Sequence, residues 1–183
     1  MMFSPSNGPS IAAVQGAPRI QIQGLMADFA AKLARNGFRI GGVVEIGETA
    51  PGGACGRLHL RELSTGEQFP ISQNLGPGSE ACNLDGRGLT AACAAVEPAL
   101  AAGLDLVILS KFGKQEAARS GLYDAFRLAA ASRTPVLTAV SPAMAPAWNA
   151  FAGPLSEYLP ANPEGVEAWA RGCLSKISAN AAE

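Results

Sequence analysis

The 183-residue chain has few charged residues and no excess of either sign. Charged side chains make up 16% of the sequence, and 14 Lys and Arg stand against 15 Asp and Glu, a net charge of −1. A protein that binds nucleic acid generally is markedly basic, because it neutralises many phosphates. The charge balance therefore predicts that nucleic acid is not the partner.

Long apolar runs and targeting signals are also missing from the sequence. The longest stretch without charge, residues 134–156, contains four prolines, which would break a membrane-spanning helix. The opening segment, MMFSPSNGPS, lacks the basic and then apolar pattern of a secretory signal. We therefore expect no membrane partner and a cytoplasmic location. Residues 1–9 are expected to form a mobile tail before a single α/β domain over residues 10–183.

Cysteine and histidine are too few and too scattered to indicate a metal centre or a nucleophile. The four cysteines, Cys55, Cys82, Cys93 and Cys173, form no CxxC pair, so a structural zinc site is not expected. In the cytoplasm their thiols would stay reduced. His59 is the only histidine and has no Cys or carboxylate at nucleophile spacing. The sequence assigns no metal ligand and no catalytic residue, and it leaves any cofactor unnamed.

Short apolar segments alternate with segments of helical periodicity. Four of them are typical of buried parallel strands: IAAV (11–14), FRIGGVVEI (38–46), DLVILS (105–110) and TPVLTAV (134–140). Helices are expected over residues 25–36, 89–102, 121–132, 145–151 and 163–178, with a Pro/Gly link before the last. RLHLREL and EQFPISQ predict a β-hairpin. The pattern predicts an α/β three-layer sandwich with a mainly parallel sheet and an inserted β-hairpin.

The segment SKFGKQE is the best candidate for a binding site. It follows the most apolar strand, and open parallel sheets bind ligands beyond the carboxyl ends of their strands. Ser110, Lys111 and Lys114 lie here, with two of the four lysines of the chain, and Gly113 permits close backbone approach. Cations and backbone N–H groups at a strand end favour an anion. The alternative is a solvated turn between a strand and a helix.

Two further segments could contribute to an anion site. GAPRIQIQG is expected to be a loop without the lysine and the hydroxyl of a P-loop, although Arg19 could contact an anion. NLGPGSEACNLDG contains Gly78 and Ser79, whose backbone and hydroxyl could donate to an oxyanion, and Cys82, a soft ligand. The simpler interpretation of the second segment is a turn that ends in a helix cap at Asp85.

Several segments resemble the bacterial family catalogued as domain of unknown function 2478. They are CNLD, DLVILSKFGKQEA, TPVLTAV and the AW-x-x-F that follows, and the KFGKxE signature is the most specific. The resemblance extends from IAAVQG to the terminal helix. That family is similar to nucleoside triphosphatases with a P-loop fold, in which an Asp-Glu pair precedes apolar-Gly-Lys-x-Glu. Here Ser110 and Lys111 stand in place of the two acids, whereas Gly113, Lys114 and Glu116 match.

The resemblance implies a P-loop-NTPase-like fold and an anionic ligand. Because members of the family are often associated with molybdate-handling genes, the ligand would be a nucleotide phosphate or an oxyanion such as molybdate. Hydrolysis is not expected, since the P-loop lysine and Ser/Thr are missing. The leading hypothesis is a non-hydrolysing anion-binding protein, with Lys111, Lys114 and Gly113 as the seat and with Arg19 and residues 76–82 as covers.

Two alternatives stay open. The chain could be a protein-interaction or regulatory scaffold, with a protein partner or a second copy of itself bound to its Pro/Gly-rich loops. It could also be a nucleotide-dependent phosphohydrolase, in which Glu116 would position water or a metal ion.

Overall fold

A computed structural model describes residues 10–47, 57–73 and 83–180 of the chain. The helices in these ranges are α1 (Arg19–Arg35), α2 (Gly86–Ala102), α3 (Lys114–Ala117), α4 (Tyr123–Ala131), α5 (Ala145–Ala152) and α6 (Pro163–Asn180). The strands are β1 (Ile11–Gln15), β2 (Ile40–Gly47), β3 (Leu58–Glu62), β4 (Gln68–Pro70), β5 (Ser72–Gln73), β6 (Asn83–Leu84), β7 (Leu106–Leu109), β8 (Val136–Ala139) and β9 (Ser156–Pro160). A helix lies between each two parallel strands that follow one another along the chain, as the sequence predicts.

Seven of these strands form one sheet in the order β4-β3-β2-β7-β8-β1-β9. The strands from β2 to β9 in this order are parallel, and β3 and β4 add an antiparallel hairpin beside β2. β5 and β6 form a separate antiparallel pair. The predicted α/β sandwich, with a mainly parallel sheet and an inserted hairpin, is therefore confirmed.

The sheet lies between two layers of helices, because successive strand residues point to opposite faces. Ile11 and Ala13 pack in the layer that contains α2, α4 and α5. Ala12 and Val14 pack in the layer that contains α1 and α6. Burial on both faces explains why these strands read as wholly apolar runs rather than as alternating ones.

An aromatic cluster supports the chain where it leaves β7. Phe112 is 2% exposed, and its ring centroid lies 5.8 Å from that of Phe126, 5.2 Å from that of Trp148 and 5.0 Å from that of Phe151. Its backbone N–H donates to the carbonyl of Ala139, at 2.9 Å. Aromatic contacts of this kind add to the stabilisation from burial alone. The segment between Ser110 and Lys114 is thus fixed to the core through its middle residue.

Two expectations from the sequence are wrong. The segment GAPRIQIQG is not a loop, because α1 begins at Arg19 and only three residues connect it to β1. The buried face of α1 includes the polar Gln23 beside Ile22, and this interrupts the apolar pattern in the first turns of the helix. The Pro/Gly link before the last helix contains β9, which pairs with β1 as a parallel edge strand. Its mostly exposed side chains and its proline conceal it from a search for apolar strands.

Some of the features expected from the sequence lie outside the described ranges. The tail of residues 1–9 and the candidate residues Gly78, Ser79 and Cys82 lie outside them. Asp85 caps α2 as predicted, since its carboxylate accepts the Arg87 backbone N–H at 2.9 Å. None of the helices in the described ranges has the length and apolar character needed to cross a membrane.

Candidate functional site

A cavity of about 560 Å³ opens at the carboxyl edge of the parallel strands. Its walls come from the ends of β1, β2, β7 and β8. β1 and β8 are neighbours, but β1 leads to α1 on one face of the sheet and β8 leads to α5 on the other. Such a switch point is where open α/β sheets bind ligands.

The cavity brings together all the described residues that the sequence singles out as ligand-binding: Arg19, Ser110, Lys111, Gly113, Lys114 and Glu116. The three remaining candidates, Gly78, Ser79 and Cys82, lie outside the described residues. Among the charged lining residues, three cations stand against two carboxylates, so the lining is positive by one charge. In the described ranges, no three His, Cys, Asp or Glu side chains form a group that could hold a metal ion.

Glu45 joins the cations of the cavity and was missed by the sequence analysis. It lies near the end of β2, is 6% exposed and lines the cavity. Its Oε1 is 2.9 Å from Arg19 Nη1, and its Oε2 is 3.6 Å from Lys111 Nζ. Oε2 has no hydrogen-bond partner in the described structure. The available signal was an acid at the end of the otherwise apolar strand segment FRIGGVVEI.

Gln23 fixes the floor of the cavity and was also missed. The ladder between β2 and β7 ends at the pair Gly42 and Ile108. Beyond it, the Gln23 amide donates to the Ser110 carbonyl at 2.7 Å and accepts the Glu45 backbone N–H at 2.8 Å. One buried side chain thus replaces the missing peptide–peptide hydrogen bonds, as buried backbone groups require. This bridge sets the spacing between Glu45 and the chain that leaves β7.

Glu116 lines the cavity, but both oxygens of its carboxylate accept hydrogen bonds from backbone N–H groups. Oε2 accepts the Gly113 N–H and Oε1 accepts the Leu122 N–H, each at 2.9 Å. Gly121 packs directly against this carboxylate with a φ of +62°, and a side chain there would collide with Glu116. These contacts give Glu116 a structural role, because they fix the turn that carries Lys114.

The connection between β1 and α1 differs from a P-loop in length as well as in sequence. It consists of residues 16–18, and Pro18 has no N–H to offer. A P-loop instead wraps a series of backbone N–H groups around the phosphates and adds a lysine and a hydroxyl. The buried Nε2 of Gln15 lies in this wall of the cavity and has no hydrogen-bond partner in the described structure. Arg19 is the only charged residue of the described structure in this wall.

Comparison with known proteins gives a family and a fold. The sequence profile of the proteins described as "Protein of unknown function (DUF2478)" matches residues 11–169. A "Molybdenum import ATP-binding protein ModC 2" of Bradyrhizobium diazoefficiens is 40% identical over 175 residues, which are 96% of this chain. The chain spans only 20% of the length of that relative.

Among solved structures, the crystal structure of THEP1 from the hyperthermophile Aquifex aeolicus is similar, with a TM-score of 0.57 and 10% sequence identity. The likeness covers 91% of this chain and 96% of that one. It confirms the P-loop-NTPase-like fold that the sequence resemblance implies. With the profile match over most of its length, the chain belongs to the DUF2478 family of proteins of unknown function.

Proposed function

We propose that this protein binds a small anion, a nucleotide phosphate in the first place, and does not hydrolyse it. The observation that carries the proposal is the position of Lys111 and Lys114 at a large cavity on the carboxyl edge of the sheet. Lys111 is 40% exposed there and Lys114 is exposed, so both ammonium groups can reach a ligand. Phosphate oxygens near these groups would accept charge-assisted hydrogen bonds.

The size of the cavity favours a nucleotide over a bare ion. Its volume of about 560 Å³ lies within the range of roughly 300–1,000 Å³ that is typical of pockets for small organic ligands. Apolar groups such as Ile22, Ile71 and Met144 line part of the cavity and would contact a base or a sugar rather than a phosphate.

The composition of the cavity walls supports the expectation that the ligand is not hydrolysed. The three residues between β1 and α1 supply neither the lysine nor the hydroxyl that holds a magnesium–phosphate group in P-loop enzymes. Ser110 and Lys111 stand where the resemblance places the acidic pair, and an ammonium group repels a metal ion. These substitutions argue against a magnesium site of the P-loop type and support binding without hydrolysis.

A free oxyanion such as molybdate is the second candidate ligand. It is suggested by the relative whose name includes molybdenum import. Both ligand types would use the same cations, Lys111, Lys114 and Arg19, so one experiment can compare them directly.

A thermal-shift panel tests the proposal. It contains ATP, ADP and GTP with and without magnesium, and molybdate, tungstate, sulfate and phosphate. At a hundred times its dissociation constant, a ligand stabilises the protein by about 2.7 kcal/mol, which for a chain of this size raises the melting temperature by roughly 5–10 °C. We expect such a shift with a nucleotide, without magnesium, and no phosphate release in a parallel assay.

Other outcomes would favour the alternatives. Turnover of ATP or GTP at an ordinary kinase-like rate, lost on Lys111→Ala, would establish a phosphohydrolase. A panel without any shift would overturn anion binding and would favour a protein-interaction scaffold.

A further inference from the structure

We propose that Glu45 makes the cavity selective for anions that also carry a hydrogen-bond donor, so that nucleotides are accepted and fully deprotonated oxyanions are rejected. This inference rests on the proposed anion site and names the property that would distinguish its two candidate ligand types. It is carried by a buried carboxylate with one unsatisfied oxygen inside the same cavity as the two lysines.

Glu45 opposes a bare oxyanion at the place where Lys111 attracts one. The Glu45 side chain is 3% exposed, so water screens its charge poorly. Its Oε2 is 3.6 Å from Lys111 Nζ, so an oxyanion bound to Lys111 would lie close to a like charge. Molybdate and sulfate present only acceptor oxygens at neutral pH and could not offset this repulsion with a hydrogen bond.

A ligand with a hydrogen-bond donor could supply a partner that the buried carboxylate of Glu45 lacks. Oε2 of Glu45 is a buried acceptor without a hydrogen-bond partner, and Nε2 of Gln15 is a buried donor without one. Unsatisfied buried groups are costly, so a ligand that supplies a partner to either atom gains from that contact. Nucleotides carry ring or amino N–H donors, hydroxyls and carbonyl or ring-nitrogen acceptors, together with the phosphate that the lysines attract.

The framework around Glu45 holds its carboxylate in the cavity. The Glu45 backbone N–H is bonded to the buried Gln23, and Arg19 pairs with Oε1 at 2.9 Å. Oε1 is therefore engaged from α1, whereas Oε2 lies next to Lys111. The arrangement leaves one buried oxygen of a fixed carboxylate without a hydrogen-bond partner in the described structure, at the wall of the cavity.

Titration calorimetry with ADP, sulfate and inorganic phosphate tests this role on the wild type and on Glu45→Gln. The wild type should bind ADP well and sulfate poorly, and phosphate more tightly than sulfate, because phosphate keeps one O–H at neutral pH. Glu45→Gln removes the charge but keeps the size of the side chain. We expect it to bind sulfate about tenfold or more tightly than the wild type does, with no matching gain for ADP.

The control variant is Glu164→Gln, which removes an exposed carboxylate in the first turn of α6, away from the cavity. It should leave the ratio of ADP to sulfate affinity unchanged. An unchanged ratio in Glu45→Gln as well would overturn the role of Glu45 while leaving anion binding intact. Failure of the wild type to bind any of the three anions would instead overturn the proposed function itself.

One arm of the test needs no substitution, so it stands even if Glu45→Gln does not fold. Equal affinities of the wild type for phosphate and sulfate, or tighter binding of sulfate, would contradict the selectivity for donor-bearing anions.

Discussion

β2 and β7 are neighbouring strands whose two ends are held in different ways. At their amino ends, Arg39 and Asp105 form a complete ion pair. Asp105 Oδ2 accepts the Arg39 backbone N–H at 2.7 Å, and its Oδ1 accepts Nη2 of the guanidinium at 2.9 Å. At their carboxyl ends, Glu45 and Lys111 approach to only 3.6 Å, and one carboxylate oxygen has no hydrogen-bond partner in the described structure.

The difference shows that a pair of opposite charges at the ends of two strands can have complete or incomplete hydrogen bonding. Both oxygens of the Asp105 carboxylate accept hydrogen bonds from Arg39. The pair therefore links the two strands. The Glu45 carboxylate keeps an oxygen in a cavity, where the strands have stopped pairing and Gln23 spans the gap. The completeness of the hydrogen bonding, rather than the presence of charge, separates the structural edge from the candidate binding edge.

Removing the aromatic ring of Phe112, next to the carboxyl end of β7, should lower the free energy of unfolding more than any other change considered. Phe112→Ala deletes a ring that is 2% exposed and packs against three other aromatic rings. We expect the free energy of unfolding, measured by urea denaturation, to fall by about 3–5 kcal/mol. The control is Ile20→Ala, since Ile20 is 66% exposed, and its effect should stay within about 0.5 kcal/mol. A loss below about 1 kcal/mol for Phe112→Ala would show that the ring does not anchor this edge.

Breaking the side-chain bridge at the carboxyl edge should have the next largest effect. Gln23→Leu introduces an apolar side chain of similar size and leaves the Glu45 N–H and the Ser110 carbonyl without their partner. Because two buried backbone groups lose a hydrogen bond, urea denaturation should show a loss of about 2–4 kcal/mol. Gln21→Leu on the exposed face of α1 is the matched control and should be nearly neutral. Equal effects of the two substitutions would argue against the bridge.

The ion pair between Arg39 and Asp105 should make the free energy of unfolding depend on pH. The hydrogen bond from Arg39 holds the pKa of Asp105 below its usual range. A carboxylate with a lowered folded-state pKa stabilises the protein above its unfolded pKa, and this contribution is lost as the pH falls through the folded value. Asp105→Asn should therefore be less stable than the wild type at pH 7, by less than Gln23→Leu, and the difference should shrink below about pH 4.

Urea denaturation at a series of pH values between 7 and 3 checks this expectation. Asp124→Asn, which changes an exposed carboxylate on α4, is the control and should follow the wild type. If the free energies of unfolding of Asp105→Asn and the wild type differ by the same amount down to pH 3, the ion pair between Asp105 and Arg39 does not stabilise the protein as expected.

The sequence predicts much of the fold because its strands carry their own signal. The segment from Leu106 to Leu109 is wholly apolar, and it forms the buried strand β7. Since ligands of parallel sheets bind at the carboxyl edge, the positions of Lys111 and Lys114 at the cavity follow from that strand alone. β9 was missed because an edge strand does not need two apolar faces.

The contacts within the site could not be predicted, because they join residues that are distant in sequence. Gln23 and Ser110 are 87 positions apart, and no local pattern indicates that an amide on α1 replaces the end of a strand ladder. Glu116 shows the opposite case. It matched a family motif, yet its oxygens accept backbone N–H groups from Gly113 and Leu122. A motif identifies a carboxylate, whereas only the fold shows what that carboxylate contacts.

The most direct test of the account is a calorimetric titration of ADP into the wild type, Lys114→Ala and Lys32→Ala. Lys32 is the matched control, since it pairs with Glu167 near the other end of α1, away from this cavity. A charge-assisted contact contributes about 1.5–3 kcal/mol, so Lys114→Ala should weaken ADP binding by roughly ten- to a hundredfold. The melting temperature of the unliganded variant should stay close to that of the wild type. Equal ADP affinities for Lys114→Ala and Lys32→Ala would contradict the proposed anion seat at the end of β7.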